Sequence, residues 1–204
     1  MAVDSTDSSE DFSQRLFSLA DEQAGYFTAK QALAVGYSYP NQSYHRKQGH
    51  WQDAGWGLYR LRDYPASHHE PWVRLSLWSR TRAGEPQAVV SHESALSLHE
   101  LSDVMPAKTH LTVPQSFRKT PPKGVVLHKA VLGNEHIEQR QGFYITTVLR
   151  TLLDVAASSI SPEHLEQASL EALERGLVRR SKFEEAVQKA PANVRERFAY
   201  IGLP

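Results

Sequence analysis

Residues 25–65, GYFTAKQALAVGYSYPNQSYHRKQGHWQDAGWGLYRLRDYP, decide how this chain is read. The opening Gly-Tyr-Phe suits a strand of two or three residues. Thr28 is a good N-cap for a short helix over AKQALAVG, in which Ala29, Ala32 and Leu33 share one face and Gly36 supplies the left-handed residue after the last turn. After the turn Tyr37-Ser38-Tyr39-Pro40, residues 41–48 (NQSYHRKQ) predict a further helix with Pro40 at or just before its first turn. Trp51 and residues 58–61 then predict two short strands closed by a turn at Asp53-Ala54-Gly55, with Leu58 and Arg60 on one face and Tyr59 and Leu61 on the other. Upstream, Phe12, Leu16 and Leu19 recur at helical spacing, so residues 11–23 predict an amphipathic helix that Gly25 ends. The order is helix, helix, helix, hairpin.

The polarity of the third helix carries the functional expectation. Between Asn41 and His50 the only large apolar side chain is Tyr44, whereas a core helix would show apolar residues at helical spacing. Two helices joined by a tight turn, the second polar and basic and followed by a hairpin, make a winged helix-turn-helix that reads DNA through that second helix. The bland alternative is a solvated helix face. Candidate DNA-binding residues are Lys30, Asn41, Gln42, Ser43, His45, Arg46 and Lys47, with Arg60 and Arg62 anchoring the wing. Of these, Gln42, Ser43, Arg46 and Lys47 are expected on the DNA side of the helix.

Charge distribution agrees with a local rather than a global anion-binding surface. The 204 residues hold 23 basic and 23 acidic side chains, which excludes DNA binding by bulk basicity. Residues 1–25 carry six acids against Arg15, yet residues 26–62 carry five basic residues against Asp53 alone, a balance of +4. Residues 71–150 are again at +4. Near charges dominate because attraction is screened beyond about 10 Å. With no cysteine, disulfide frameworks, thiol nucleophiles and thiolate zinc sites are excluded. No run approaches the ~18 apolar residues of a membrane span, and the first ten residues, MAVDSTDSSE, are acidic and polar. A soluble cytoplasmic protein without membrane contact is expected, with residues 1–10 disordered.

Beyond residue 70 the pattern is mixed α/β. A helix is predicted over residues 93–101, strands over 110–113, 125–129, 137–140 and 143–146, and helices over 147–157, from Ser161 to Gly176, and from Ser181 toward Ala190. Arg150 and Asp154, at i and i+4, predict an ion pair. Ten histidines raise the question of catalysis. His92 and His99 are seven apart, each followed by a glutamate, whereas a zincin needs histidines four apart. His110 and His128 sit in apolar strand patterns and read as satisfied core or edge residues. No Gly-x-Ser-x-Gly, Walker or dinucleotide-binding pattern occurs. The sequence Ile137-Glu138-Gln139-Arg140, with Asp103 or Asp154 as a further acid, resembles the carboxylate–basic pair of metal-dependent nucleases. The alternative to a non-enzymatic binding protein is therefore a degenerate or active nuclease-like domain fused to the winged helix, and no catalytic residue, metal ligand or cofactor is assigned.

The stretch GYFTAKQALAVGYSYPNQSYHRKQG resembles the AbiEi-type antitoxins of bacterial type IV abortive-infection toxin–antitoxin systems. Gly49, Gly57, Leu58, Tyr59 and Arg60 are similar to the ending of that family's winged helix. The segments AVVSHESALSLHELSD, THLTVP, GVVLHKA and GFYITTVLRTLLDVA are similar, in order and approximate spacing, to its C-terminal part, so the resemblance covers roughly residues 23–176. It implies an α+β protein: a winged-helix domain over residues 1–70 and a mixed α/β antitoxin domain over 71–204. It also implies a transcriptional autorepressor that recognises inverted-repeat promoter DNA and counteracts a nucleotidyltransferase-like toxin without needing a stable complex. One departure is local. His45 and Arg46 stand where members usually carry aliphatic residues, so either the helix turns Tyr44 to the core or His45 packs against Trp51.

Overall fold

In the computed structural model, which describes residues 5–203 and side chains from residue 11, the chain is α+β. It divides into two compact units. One comprises residues up to 87 together with 139–143, and the other residues 88–138 and those from 144 on. The first unit therefore runs past the expected boundary near residue 70, because a helix the sequence reading omits, α4 (Glu70–Ser79), belongs to it.

The first unit begins with α1 (Ser5–Asp21), then β1 (Tyr26–Thr28), α2 (Ala29–Ala34), α3 (Tyr39–Lys47), β2 (Trp51–Gly55) and β3 (Leu58–Leu61). The expected disorder over residues 1–10 falls partly outside the described residues, and from Ser5 the backbone is helical. Thr28 caps α2 through a reciprocal pair: the Gln31 N–H donates to Thr28 Oγ1 (3.0 Å) and the Thr28 N–H to Gln31 Oε1 (2.8 Å). Ser38 caps α3 and Pro40 sits in its first turn. The three strands pair antiparallel in the order β1-β3-β2, with Tyr26 opposite Arg60 and Trp51 opposite Leu61.

The hairpin turn is not at Asp53-Ala54-Gly55. Gly55 pairs with Leu58 across a bulge, which leaves Trp56 and Gly57 as the two-residue loop at φ of +55° and +69°. Two successive positive φ values are those of the turn whose twist matches paired strands. The unit's core is Leu16, Ala20, Phe27, Ala32, Tyr37, Trp51 and Tyr59. Phe27 is fully buried and meets Trp51 edge-on with ring centroids 4.8 Å apart.

The second unit is built on a five-stranded mixed sheet, ordered β6-β5-β4-β8-β7. Its strands are β4 (Val89–Val90), β5 (Thr109–Val113), β6 (Val125–Lys129), β7 (Ile137–Arg140) and β8 (Phe143–Thr146), the tip of the last pair counting with the first unit. β4 runs antiparallel to β5 and parallel to β8, and β5 runs parallel to β6. The helices are α5 (His92–Leu98), α6 (Val148–Ala156), α7 (Pro162–Glu174), α8 (Arg180–Lys189) and α9 (Ala192–Tyr200). Their core joins Leu96, Leu152, Leu165, Phe183 and Phe198, the two phenylalanines in edge contact at 5.1 Å. Among the described residues no helix is long and apolar enough to cross a membrane.

Candidate nucleic-acid interface

The inward face of α3 is set by two side chains that strand and helix patterns read as polar. Gln42 is only 3% exposed, and its Nε2 donates to the carbonyls of Ala29 (3.1 Å) and Tyr37 (2.9 Å), joining α3 to the start of α2 and to the turn between them. His45 lies flat on Trp51, ring centroids 4.9 Å apart and planes 13° from parallel, while Tyr37 meets both rings edge-on. Of the two orientations the sequence leaves open, His45 packs on Trp51, and Tyr44 is exposed. The other face of α3 carries Tyr39, Asn41, Tyr44, Arg46 and Lys47 into solvent, with Ser43 half-buried. Arg46 also lies 5.7 Å over the Tyr59 ring and 4.0 Å from Asp53.

Two expected contacts are thereby corrected. Gln42 faces the interior because residues 42 and 45 lie on the side of the helix that α2 and β2 cover. Arg60 does not anchor a wing on DNA. Its side chain is 13% exposed, and Nη2 donates to Glu70 Oε1 (2.9 Å) and to the carbonyls of Tyr64 (2.8 Å) and Pro65 (3.1 Å). Burial alone would raise the Glu70 carboxyl, but the Ser67 N–H, the Tyr26 hydroxyl and the Arg60 guanidinium together hold it below its ordinary value. Alternation placed Arg60 opposite the core-facing strand residues correctly, but α4 covers that face too. Lys30 and Arg62 are exposed, Lys30 donating to the Arg82 carbonyl (2.8 Å) and Arg62 lying 3.6 Å from Asp63. The expected cations left on the surface are Lys30, Arg46, Lys47 and Arg62.

Gln42→Ala should remove both donors and leave the Ala29 and Tyr37 carbonyls without that partner, at a cost of about 1–3 kcal/mol. All four tryptophans, Trp51, Trp56, Trp72 and Trp78, lie in the first unit, so a urea titration followed by tryptophan fluorescence reads that loss directly. An unchanged midpoint would mean the two hydrogen bonds are energetically idle.

The residues singled out for catalysis are scattered, all but Arg140 in the second unit. α5 ends at Leu98, so His99 caps it, its Nε2 donating to the Thr146 carbonyl at 2.8 Å, and the two His-Glu pairs do not share a helix face. His92, His110 and His128 come together instead, a grouping that spacing along the chain conceals. His92 stacks on His128 with centroids 3.5 Å apart, and His110 Nδ1 lies 3.0 Å from His128 Nε2 and 3.1 Å from Glu93 Oε2. The reading of His110 and His128 as partnered strand residues agrees with these contacts. Burial, followed by the neighbouring His128, His110 and Arg150, pushes His92 down to about 3. Arg150 Nε reaches Asp154 Oδ1 at 2.8 Å, the expected pair, with Asp154 nearly buried. Burial raises the Asp154 carboxyl even though Arg150 pulls it down. Asp103 and Asp154 line different cavities, and among the described residues no group of three or more His, Asp or Glu side chains is arranged to hold a metal ion.

No protein-family model and no curated protein matches this chain. Among solved structures, the RV2827C protein from Mycobacterium tuberculosis is similar, with a TM-score of 0.55 over 93% of this chain and 75% of that chain. At 15% sequence identity the likeness concerns the fold, an α+β arrangement.

Proposed function

We propose that the first unit is a winged-helix DNA-binding domain and that the chain is a transcriptional autorepressor acting as the antitoxin of a toxin–antitoxin operon. The observation that carries the DNA-binding part is the exposed face of α3. It holds Asn41, Arg46 and Lys47 clear of the core while Gln42 and His45 lock the opposite face. The element order, with β3 between β1 and β2 and the β2–β3 hairpin following α3, suits a recognition helix entering a major groove beside a wing. Asn can pair with adenine and Arg with guanine in that groove, while Lys30, Lys47 and Arg62 suit phosphates.

The antitoxin role, the inverted-repeat operator and a nucleotidyltransferase-like toxin met without a stable complex rest on the sequence resemblance to AbiEi-type proteins. In this reading the protein works in the cytoplasm by binding, without turnover or cofactor.

Arg46→Ala tests the orientation of α3. Loss of a bidentate guanine contact should remove roughly 1–3 kcal/mol of discrimination between its own promoter and unrelated DNA. The Lys47→Ala variant should instead weaken both DNAs alike. Fluorescence anisotropy with the two duplexes, on protein whose circular dichroism is unchanged, separates the cases. Equal promoter affinity for wild type and Arg46→Ala would show that this face does not read bases.

A further inference from the structure

We propose that His45 and His50 form a binding site for one borderline divalent cation, of the zinc or nickel kind, at the C-terminal end of α3. Their Nδ1 atoms lie 3.2 Å apart. Two imidazole nitrogens each about 2.0–2.1 Å from one Zn²⁺, subtending 90–110° at the metal, stand about 2.9–3.4 Å apart, so the pair is already at chelating distance.

The pair is held in place from behind. His45 is fixed by its stacking on Trp51 and by the Tyr37 edge, and the His50 N–H donates to the His45 carbonyl (2.9 Å), which sets the backbone spacing. The Tyr44 ring stands edge-on to both imidazoles. Little rearrangement is therefore needed to bind, and preorganised donors lose little entropy.

The open side of the pair suits a completed coordination shell. Both histidines line a cavity of about 510 Å³ together with Ser13, Arg62, Asp63 and Tyr64, and His50 itself is exposed. Water, or the exposed Asp63 carboxylate after a rotation, can fill the remaining positions. Imidazole selects zinc, nickel or copper over magnesium or calcium, and the end of a helix where carbonyls face outward favours a cation. The histidines of the second unit make the weaker candidate, because His92 is buried and stacked face to face on His128 with ring centroids 3.5 Å apart.

A cation here would add two positive charges close to Arg46 and Lys47. Resting on the DNA-binding reading above, this should tighten the hold on duplex DNA without being essential to it.

The site can be tested without DNA. The full-length protein should bind one equivalent of Zn²⁺ at micromolar concentration in a calorimetric titration, with the imidazole proton signals of His45 and His50 shifting together. His50→Ala, a change at an exposed residue, should weaken that binding at least about tenfold with circular dichroism unchanged. Wild-type protein that takes up no Zn²⁺ below the millimolar range, or a His50→Ala variant that binds it equally well, overturns the proposal. If Zn²⁺ binds at the two histidines while promoter DNA is bound neither with zinc nor with a chelator, the site stands and the DNA-binding reading falls.

Discussion

A fourfold rise in salt should weaken promoter binding by roughly 100-fold for each bound copy of the chain. Four of the expected cations are exposed: Lys30 on α2, Arg46 and Lys47 on α3, and Arg62 just after β3. If each displaces one condensed counterion, log K falls with log salt at a slope of about −3.6. The inward turn of Arg60 fixes this count, since a fifth phosphate contact would bring the slope to about −4.5. Anisotropy titrations from 50 to 200 mM salt measure it. A slope near zero would remove the electrostatic basis of the proposed interface. Binding of two copies to an inverted repeat should double the value.

Acid should destabilise the second unit, with His92 contributing most. In the unfolded chain this imidazole titrates near 6.5, whereas in the fold it stays neutral down to about 3. The folded state thus refuses a proton that the unfolded state accepts, so stability is whole above pH 6.5 and falls as the pH drops through the window from 6.5 to about 3. By pH 5 the loss from this group alone is about 2 kcal/mol, and near pH 3 it is about 4 kcal/mol. His128, lowered by burial and then by His110, acts in the same direction, with Glu93 opposing it.

The experiment is a urea titration at pH 7.5 and 5.0, followed by circular dichroism. The second unit lacks tryptophan, so its transition is the one that dichroism detects and tryptophan fluorescence does not. His92 has φ of +52°, a conformation asparagine tolerates better than most residues, so His92→Asn is the suitable control. It should lose markedly less stability between the two pH values. If it loses as much as wild type, the acid sensitivity lies elsewhere.

Local chemistry was legible wherever one residue type has one structural use. Thr28 as a helix cap, Ser161 as the start of a later helix, and the apolar runs at 125–129 and 143–146 predicted their elements closely. What escaped was decided by a partner distant in sequence. Gln42 reads as a DNA-facing amide until α2 and the turn after it bring two carbonyls to it. Arg60 reads as a surface cation until Glu70 arrives with α4.

The hairpin turn moved by two residues because Asp53-Ala54-Gly55 has turn composition, and Trp-Gly does not announce a tight loop. β4 is two residues long, too short for alternation to register. The three clustered histidines come from one helix and two strands, so no interval along the chain connects them. The pair His45 and His50 could have been found from sequence, since a helix that ends between two histidines five apart can fold the second back on the first.

Because β3 lies between β1 and β2, the hairpin is not a free arm. Its outer strand pairs with β3, β3 pairs with β1, and β1 runs straight into the capped start of α2, whose Ala29 N–H donates to the Gly57 carbonyl at the turn itself (3.0 Å). Helix and hairpin therefore move as one piece. Closing onto a duplex should freeze few torsions, leaving association governed by diffusion and orientation rather than by a folding step, and the amides of Tyr59 and Arg60 should exchange with solvent only when the whole unit opens.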